Sequence, residues 1–430
     1  MAKKNLLIAQ SGGPSPVINS SLRGVIEAAR SFPGQIDKIY AGWHGIEGVL
    51  TEELLDLSAQ TEEEVALLRW TPAAGAIGTC RYKIKSKQKE DFERVIEVLR
   101  AQNIGYFLYN GGNDSMDTAN KISRLAAARG LDLVATGVPK TIDNDVGDSE
   151  FTLIDHTPGY GSAARYWACC VQMAEEENRG SSPSDPVLVL QIMGRHIGYI
   201  PAAARLADPH REMPLQIYMP ESGLTLDQLA DNVNNELNRR GRCIVALSEG
   251  FDVGDLGARR DGFGHVEFGA CDQTAQQVVV NYLNKRGLPT RGMARGQVPG
   301  TDQRSSIIMA STVDLEEAYQ VGRHAVAVAR REGSGWMSTL LRVAGPRYAV
   351  RYDKVPLEKV ANSERAFPAK WLAPSKIDVT DDFLRYARPL IGDEWVRVPL
   401  EDGLQRFTRF APIFANKKCP GYEPEAYQTK

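Results

Sequence analysis

The chain has 430 residues, 43% hydrophobic and 24% charged, and its 51 Lys and Arg nearly balance 54 Asp and Glu, for a formal net charge of -3. At roughly 100–200 residues per domain, this length predicts two or more domains with a sizeable core. The composition excludes a disordered or membrane-embedded chain, and so small a net charge provides no global field to draw in nucleic acid or an anionic membrane. Any anionic ligand must be held by a locally built site.

At the start, Lys3-Lys4 followed by Leu6-Leu7-Ile8-Ala9 only faintly imitates a signal peptide. The apolar stretch stops at Gln10 after about four residues, short of the roughly 7–15 such a segment needs. No uncharged apolar run approaches the roughly 18 residues of a membrane span. The six cysteines (Cys80, Cys169, Cys170, Cys243, Cys271 and Cys419) contain no CxxC pair and no regular framework, which fits a reducing compartment. A cytoplasmic location is expected.

Residues 5–9 predict a short buried strand, followed by the turn Ser11-Gly12-Gly13-Pro14-Ser15-Pro16. Beyond it, Ile18, Leu22, Val25, Ile26 and Ala29 recur at helical spacing. A second helix puts Phe92, Val95, Ile96 and Leu99 on one face and leads into a strand over 104–109. That strand ends in Gly111-Gly112, another helix starts near Ser115, and residues 131–138 form the next strand, closed by Pro139. Strand, glycine-rich turn, helix and strand together predict a parallel sheet with helices on both faces. The second half repeats the pattern, with buried-strand runs at 187–192 and 243–247 among helical stretches at 226–240, 272–286 and 314–331. The polar stretch 175–185 is expected to be a surface connection between the halves. The tail from Lys354 onward contains several prolines and has no assigned element.

In open parallel sheets, ligands bind beyond the carboxyl ends of strands, where helix N-termini offer unpaired N–H groups. Three turns stand at such places: Ser11-Gly12-Gly13, Gly111-Gly112-Asn113-Asp114-Ser115 and Pro139-Lys140-Thr141-Ile142-Asp143-Asn144-Asp145. Glycine lets a backbone approach phosphate closely, although each Gly-Gly alone is also compatible with a plain tight turn. Lys140 to Asp145 is the richest of the three. It offers a cation for phosphate charge, and carboxylates for a proton and for Mg²⁺, the set that phosphoryl transfer needs. A solvated acidic loop capped by Asn and Asp is the bland alternative, and spacing leaves open which aspartate does what. The chain has no GxxxxGK[ST], HExxH or GxSxG. Gly159-Tyr160-Gly161-Ser162-Ala163-Ala164 approaches a dinucleotide fingerprint without an apolar strand immediately before it, and is predicted to be a turn opening a helix. The six histidines show no ligand spacing, so no zinc site is expected.

Taken in order from Leu6 to Val328, these motifs resemble the phosphofructokinases, most closely their pyrophosphate-dependent branch. The resemblance implies two Rossmann-like three-layer α/β domains with mostly parallel sheets and an active site in the cleft between them. Residues 1–155, with a later return near 300–330, would form the pyrophosphate and Mg²⁺ domain. Residues 156–295 would form the sugar-phosphate domain, and 345–430 a C-terminal extension of unassigned role.

Ser11-Gly12-Gly13, with Asn19 and Arg23-Gly24-Val25, is similar to the family's first phosphate loop. Gly78-Thr79-Cys80-Arg81 resembles the segment that supplies a donor arginine. The implied pyrophosphate-binding residues are Gly13, Arg81, Gly112, Asn113, Asp114, Ser115 and Lys140. Asp143 would be the base that deprotonates the C1 hydroxyl of fructose 6-phosphate, with Lys140 and Arg195 also catalytic. Thr141, Ile142, Asp143, Met193-Gly194-Arg195, Glu249, Arg295 and Arg304 would bind the sugar phosphate, the last two gripping its 6-phosphate with the guanidinium fork. Asn113 and Asp145 would stand at Mg²⁺. Where ATP users have glycine, Asp114 fills the nucleotide's space and Lys140 adds a cation, so both positions favour pyrophosphate.

The chain also departs from the family pattern. Asn113 replaces the usual aspartate and removes a charge from the metal shell. Thr301 stands where many members have histidine, and Pro186 where many have an arginine that reaches a neighbouring subunit's site; Arg179 is out of register. The resemblance further implies a homodimer or homotetramer acting on fructose 6-phosphate and pyrophosphate in glycolysis or gluconeogenesis, without nucleic acid or membrane partners. Two alternatives are an ATP-dependent 6-phosphofructokinase and a non-catalytic regulatory sugar-phosphate-binding subunit. Intact Asp143, Lys140 and Arg195 weigh against the second. Sedoheptulose 7-phosphate stays open as an acceptor.

Overall fold

A computed structural model describes residues 3–256 and 271–428. His265 lies outside the described residues. Two compact units emerge: Met1–Gly159 with Asp314–Arg365 and Trp395–Lys430 form unit 1, and Tyr160–Val313 with Ala366–Glu394 form unit 2. Their principal strands are β1 (Lys4–Gln10), β2 (Ile36–Gly42), β3 (Leu54–Asp56), β4 (Ile104–Gly111), β5 (Val134–Pro139), β6 (Val187–Ile192), β7 (Leu215–Tyr218), β8 (Cys243–Ser248), β9 (Ala294–Gln297), β10 (Trp336–Arg342) and β11 (Val350–Pro356).

Unit 1 is built on a seven-stranded sheet in the order β11-β10-β5-β4-β1-β2-β3. Its inner pairs are parallel, while the outermost pairs, β10 with β11 and β2 with β3, are antiparallel. The apolar runs in the sequence become strands covered on both faces: Leu6, Leu7, Ile8, Phe107 and Leu108 are fully buried. Unit 2 holds a four-stranded, wholly parallel sheet in the order β7-β8-β6-β9, with β6 and β8 buried along their whole length.

Local signals explain where the helices begin and end. The helix Leu226–Arg240 starts at a reciprocal cap between Thr225 and Gln228 and stops at Gly241, whose φ of 74° is left-handed. Helix Ala275–Arg286 starts at Thr274, whose hydroxyl accepts from the amide of Gln277 at 3.1 Å. The expected strand over 131–138 starts later, at Val134, and helix Ala275–Arg286 starts three residues inside its expected span, 272–286.

Three expectations of organisation are corrected. The chain returns to unit 1 at Asp314, inside the expected 300–330, but unit 2 runs past the expected end at 295 to Val313 and takes back Ala366–Glu394. Residues 345–430 are no separate extension, because both units share them. The stretch 175–185 does not connect the halves. Most of it is the end of helix Tyr160–Ser181, while the chain changes unit at Gly159. Helical spacing turns Glu175 and Asn178 inward and leaves Glu176, Glu177 and Arg179 exposed: Glu175 is buried against the Arg242 guanidinium, and the Asn178 amide donates to the Asp185 carbonyl at 3.1 Å. Among the described residues no helix is long and apolar enough to cross a membrane.

Candidate active site

From β1 the chain proceeds to β2 on one side, and β4 later pairs on the other side of β1. This reversal is the switch point at which open parallel sheets leave a crevice for ligands. Because β5, β4 and β1 are neighbours, the three polar turns predicted from the sequence leave the same end of one sheet.

Several backbone contacts assemble these turns. Ser11 bridges Cys80 in parallel, the Gly12 amide donates to the Cys80 carbonyl at 2.9 Å, and the Thr79 hydroxyl donates to the Gly12 carbonyl at 3.0 Å. Arg81 therefore follows directly on the residue bonded to the first loop. Cys80 itself is buried, which pushes its thiol up to about 11 and leaves it inert as a nucleophile.

At the second loop, the Gly112 carbonyl accepts from the amides of Ser115 and Met116 and opens the helix Asn113–Ala128. Gly111 admits no side chain, since a Cβ there would stand 2.0 Å from the Ser115 hydroxyl. Lys140 is 3% exposed and donates to the carbonyls of Ser11, at 3.1 Å, and Gly13, while its own amide donates to the Gly111 carbonyl at 3.0 Å. One buried lysine thus ties together all three loops, the first through its ammonium and the second through its backbone amide.

Asp114 forms an ion pair with Lys83, a residue the sequence analysis passed over. The Asn113 amide nitrogen donates to the Asp145 carboxylate at 3.3 Å, and its Oδ1 is buried without a partner. This orphaned oxygen beside a carboxylate fits a hard cation. Among the described residues no three His, Cys, Asp or Glu side chains converge as a metal cluster. Mg²⁺ suits such a sparse donor set, because it commonly keeps water and substrate phosphate as its other ligands.

The loop bearing Asp143 is braced at successive residues. The Thr141 amide donates to the Pro158 carbonyl at 3.2 Å, and the Thr141 hydroxyl accepts from the Asp143 amide at 3.1 Å. Ile142 is buried. Asn144 adopts φ 59°, a left-handed position that asparagine tolerates, and its Oδ1 accepts from the Thr157 amide at 2.9 Å. The Asp145 carbonyl accepts from the Arg365 amide at 2.8 Å, and the fully buried Arg365 guanidinium donates to the carbonyls of Ile154 and Asp155.

Behind this brace, the His156 ring lies between Asp155, at 2.9 Å, and Glu317, at 2.8 Å. Burial works against its charge, but the carboxylates of Glu317 and Asp155 outweigh it and hold the ring at about 9. Arg365 and the His156–Glu317 contact had no short motif to reveal them, since their partners are far away in sequence.

Unit 2 carries the second group of predicted residues. The amides of Gly194 and Arg195 both donate to Glu249 Oε1, at 3.3 and 3.2 Å, and the Glu249 amide donates back to the Ile192 carbonyl at 2.8 Å. The loops after β6 and β8 are thereby fused, and Gly250 lets them touch: a Cβ there would fall 1.4 Å from the Arg195 carbonyl oxygen. The Gln303 side-chain oxygen accepts from the Met193 amide at 3.0 Å and from the Trp167 indole at 2.8 Å, which seats Arg304 beside the same strand end. Gln303 is a positioning residue whose role the sequence left unassigned.

Arg295 is not brought to this loop. It pairs in register with Leu188, near the amino end of β6, and ion-pairs with Asp185. Met193 lies five residues further along, roughly 16 Å away at strand spacing. Within its own unit, Arg295 is therefore not brought beside the sugar loop. The motif carried the right residue type, and the register of β9 sends it elsewhere.

Glycine-rich turns at a switch point, a buried lysine gathering them, and a braced aspartate beside a metal-fitted pair equip an α/β phosphotransferase. Residues 5–329 match the family model of phosphofructokinase. The pyrophosphate–fructose 6-phosphate 1-phosphotransferase of Methylococcus capsulatus is 36% identical over 97% of this chain and 98% of its own. That of Xanthomonas campestris pv. campestris is 37% identical over 98% of this chain and 100% of its own. The crystal structure of the pyrophosphate-dependent phosphofructokinase from Nitrosospira multiformis superposes with a TM-score of 0.88 at 37% identity, covering 98% of this chain and 100% of that one. The chain belongs to the phosphofructokinase family.

Proposed function

We propose that this protein transfers a phosphoryl group reversibly between pyrophosphate and the C1 hydroxyl of fructose 6-phosphate. One observation carries the choice of donor: position 114 holds a carboxylate fixed by Lys83, and position 140 a buried ammonium holding the Ser11 and Gly13 carbonyls. A nucleotide would need room where Asp114 stands, whereas compact pyrophosphate does not.

In the forward direction Asp143 takes the C1 hydroxyl proton. The C1 oxygen forms a bond to the transferred phosphorus, the bridging P–O bond of pyrophosphate breaks, and inorganic phosphate leaves with the electron pair. The rigid hydrogen-bonded frame around residues 141–145 serves to aim this base. Lys140, Arg81 and Arg195 offset charge that spreads over the transferring group. Glu249 orients the backbone of the Met193-Gly194-Arg195 loop towards the sugar, and Arg304 supplies the 6-phosphate contact. Mg²⁺, when bound near Asn113 and Asp145, screens the phosphate oxygens. A cytoplasmic homodimer or homotetramer completes the proposal.

The test is an assay panel with Mg²⁺, offering pyrophosphate or ATP as donor and fructose 6-phosphate or sedoheptulose 7-phosphate as acceptor. Turnover with pyrophosphate and fructose 6-phosphate is expected; turnover with ATP alone overturns the donor assignment.

A further inference from the structure

Residues 395–428 belong to unit 1 and return to the segment that carries Arg81. They first run along β3: the Asp56 amide donates to the Ile413 carbonyl at 2.7 Å, and the Ala415 amide donates to the Leu54 carbonyl at 2.8 Å. The amides of Lys418 and Cys419 then each donate to the Glu52 carboxylate at 2.9 Å.

The path ends around Asp91, which is fully buried. Its carboxylate accepts from the Tyr422 hydroxyl at 2.7 Å, the Glu425 amide at 3.0 Å, the Gln88 amide group at 3.0 Å and the Tyr82 hydroxyl. The Asp91 amide donates back to Glu425 Oε1 at 3.1 Å. The Ala426 amide donates to the Tyr82 hydroxyl at 3.3 Å, and the Tyr427 ring stands edge-on to Tyr82 with centroids 5.5 Å apart.

Tyr82 lies between Arg81 and Lys83, so an anchored Tyr82 holds the backbone from which both cations extend. We propose that residues 422–427 position the phosphoryl-donor segment 81–83, making the C-terminal tail a working part of the pyrophosphate site. This inference rests on the functional reading above. A buried carboxylate that loses hydrogen-bond donors becomes costly to keep in place. Without the tail, Asp91 and Tyr82 would reorient toward water and release Arg81 and Lys83 from their bound geometry. Rigid placement of binding groups before the ligand arrives improves affinity, and here that benefit falls on the donor alone.

Steady-state kinetics of the full-length enzyme test the proposal. Tyr422→Phe removes one donor to Asp91, and Glu425→Ala removes the acceptor of the Asp91 amide. Each is expected to raise KM for pyrophosphate about fivefold while KM for fructose 6-phosphate stays within about twofold. Glu425→Gln keeps an acceptor oxygen and is expected to restore the wild-type KM, and this pair decides the matter should Tyr422→Phe fail to fold. Equal shifts for both substrates, or unchanged KM values with only a lower Tm, overturn the proposal. If the wild type does not turn over pyrophosphate, the functional reading fails by itself. Calorimetric titration of inorganic pyrophosphate into wild type and Tyr422→Phe then decides the inference, and equal or absent binding in both overturns it.

Discussion

Lys83 and Asp114, separated by 31 residues in sequence, meet as an ion pair between the donor-arginine segment and the first turn of helix Asn113–Ala128. The pair reconciles two demands. In the proposed donor site a carboxylate at position 114 would exclude a nucleotide, yet it would also repel pyrophosphate unless a cation compensates it. Both side chains are partly exposed, so the pair is screened and its contribution is modest. Lys83→Met is expected to raise KM for pyrophosphate about two- to fivefold, the range of such exposed pairs. In an Asp114→Gly background the same substitution should have little effect, and this double-mutant cycle is the check.

Replacing Asp143 by Asn keeps the side chain's shape and removes its basicity. A drop in kcat of about 10²–10⁴ is expected, the usual contribution of a general base. The Kd for fructose 6-phosphate, measured by calorimetry, should change little. Retained turnover would take Asp143 out of the proton-transfer role.

Gly250→Ala drives a methyl group into the Arg195 carbonyl, a backbone atom with no rotamer to yield. Relief must come from separating the loops after β6 and β8, at about 1–3 kcal/mol. The enzyme is expected to show a lower Tm and to lose up to about 100-fold in kcat/KM for the sugar, because Arg195 and Glu249 shift together. KM for pyrophosphate should be less affected, since the donor loops belong to unit 1.

His156 makes stability depend on alkaline pH. Its folded value of about 9 lies above the ordinary 6.5, so its charged form is favoured by folding. The contribution is complete below about pH 6.5 and is lost as pH rises through about 9. The gap corresponds to about 3 kcal/mol. Urea unfolding midpoints measured from pH 6 to 10 should fall over this window, and His156→Gln should flatten that component of the profile.

The sequence made the donor loops legible because each lies within one short segment after an apolar strand. Gly111 and Lys140 stand out from their neighbours alone, whereas spacing left Asp143 and Asp145 undistinguished and only the family resemblance assigned the base. Lys83, Gln303 and Arg365 do not stand out this way, because their partners stand 31, 110 and about 210 residues away in sequence. Pairing of that range depends on topology, and periodicity carries no information about it. Arg295 shows the converse. Its motif is intact, but the register of β9 against β6, which places it opposite Leu188, is set by packing of the whole sheet. Likewise nothing local marked Glu175 as buried, since Arg242, which supplies the charge that lets it turn inward, stands 67 residues away.

The tail's grip on Tyr82 also sets a schedule for synthesis. Ala426 donates to a hydroxyl 344 residues earlier in the chain. At translation speeds of about 5–20 residues per second, the strap emerges roughly 20 to 70 s after the loop it holds. Throughout that interval Asp91 and Tyr82 exist without it. A nascent chain can therefore acquire its sugar-binding strands well before its donor site is finished, and a ribosome that stalls before residue 422 releases a product lacking the clasp.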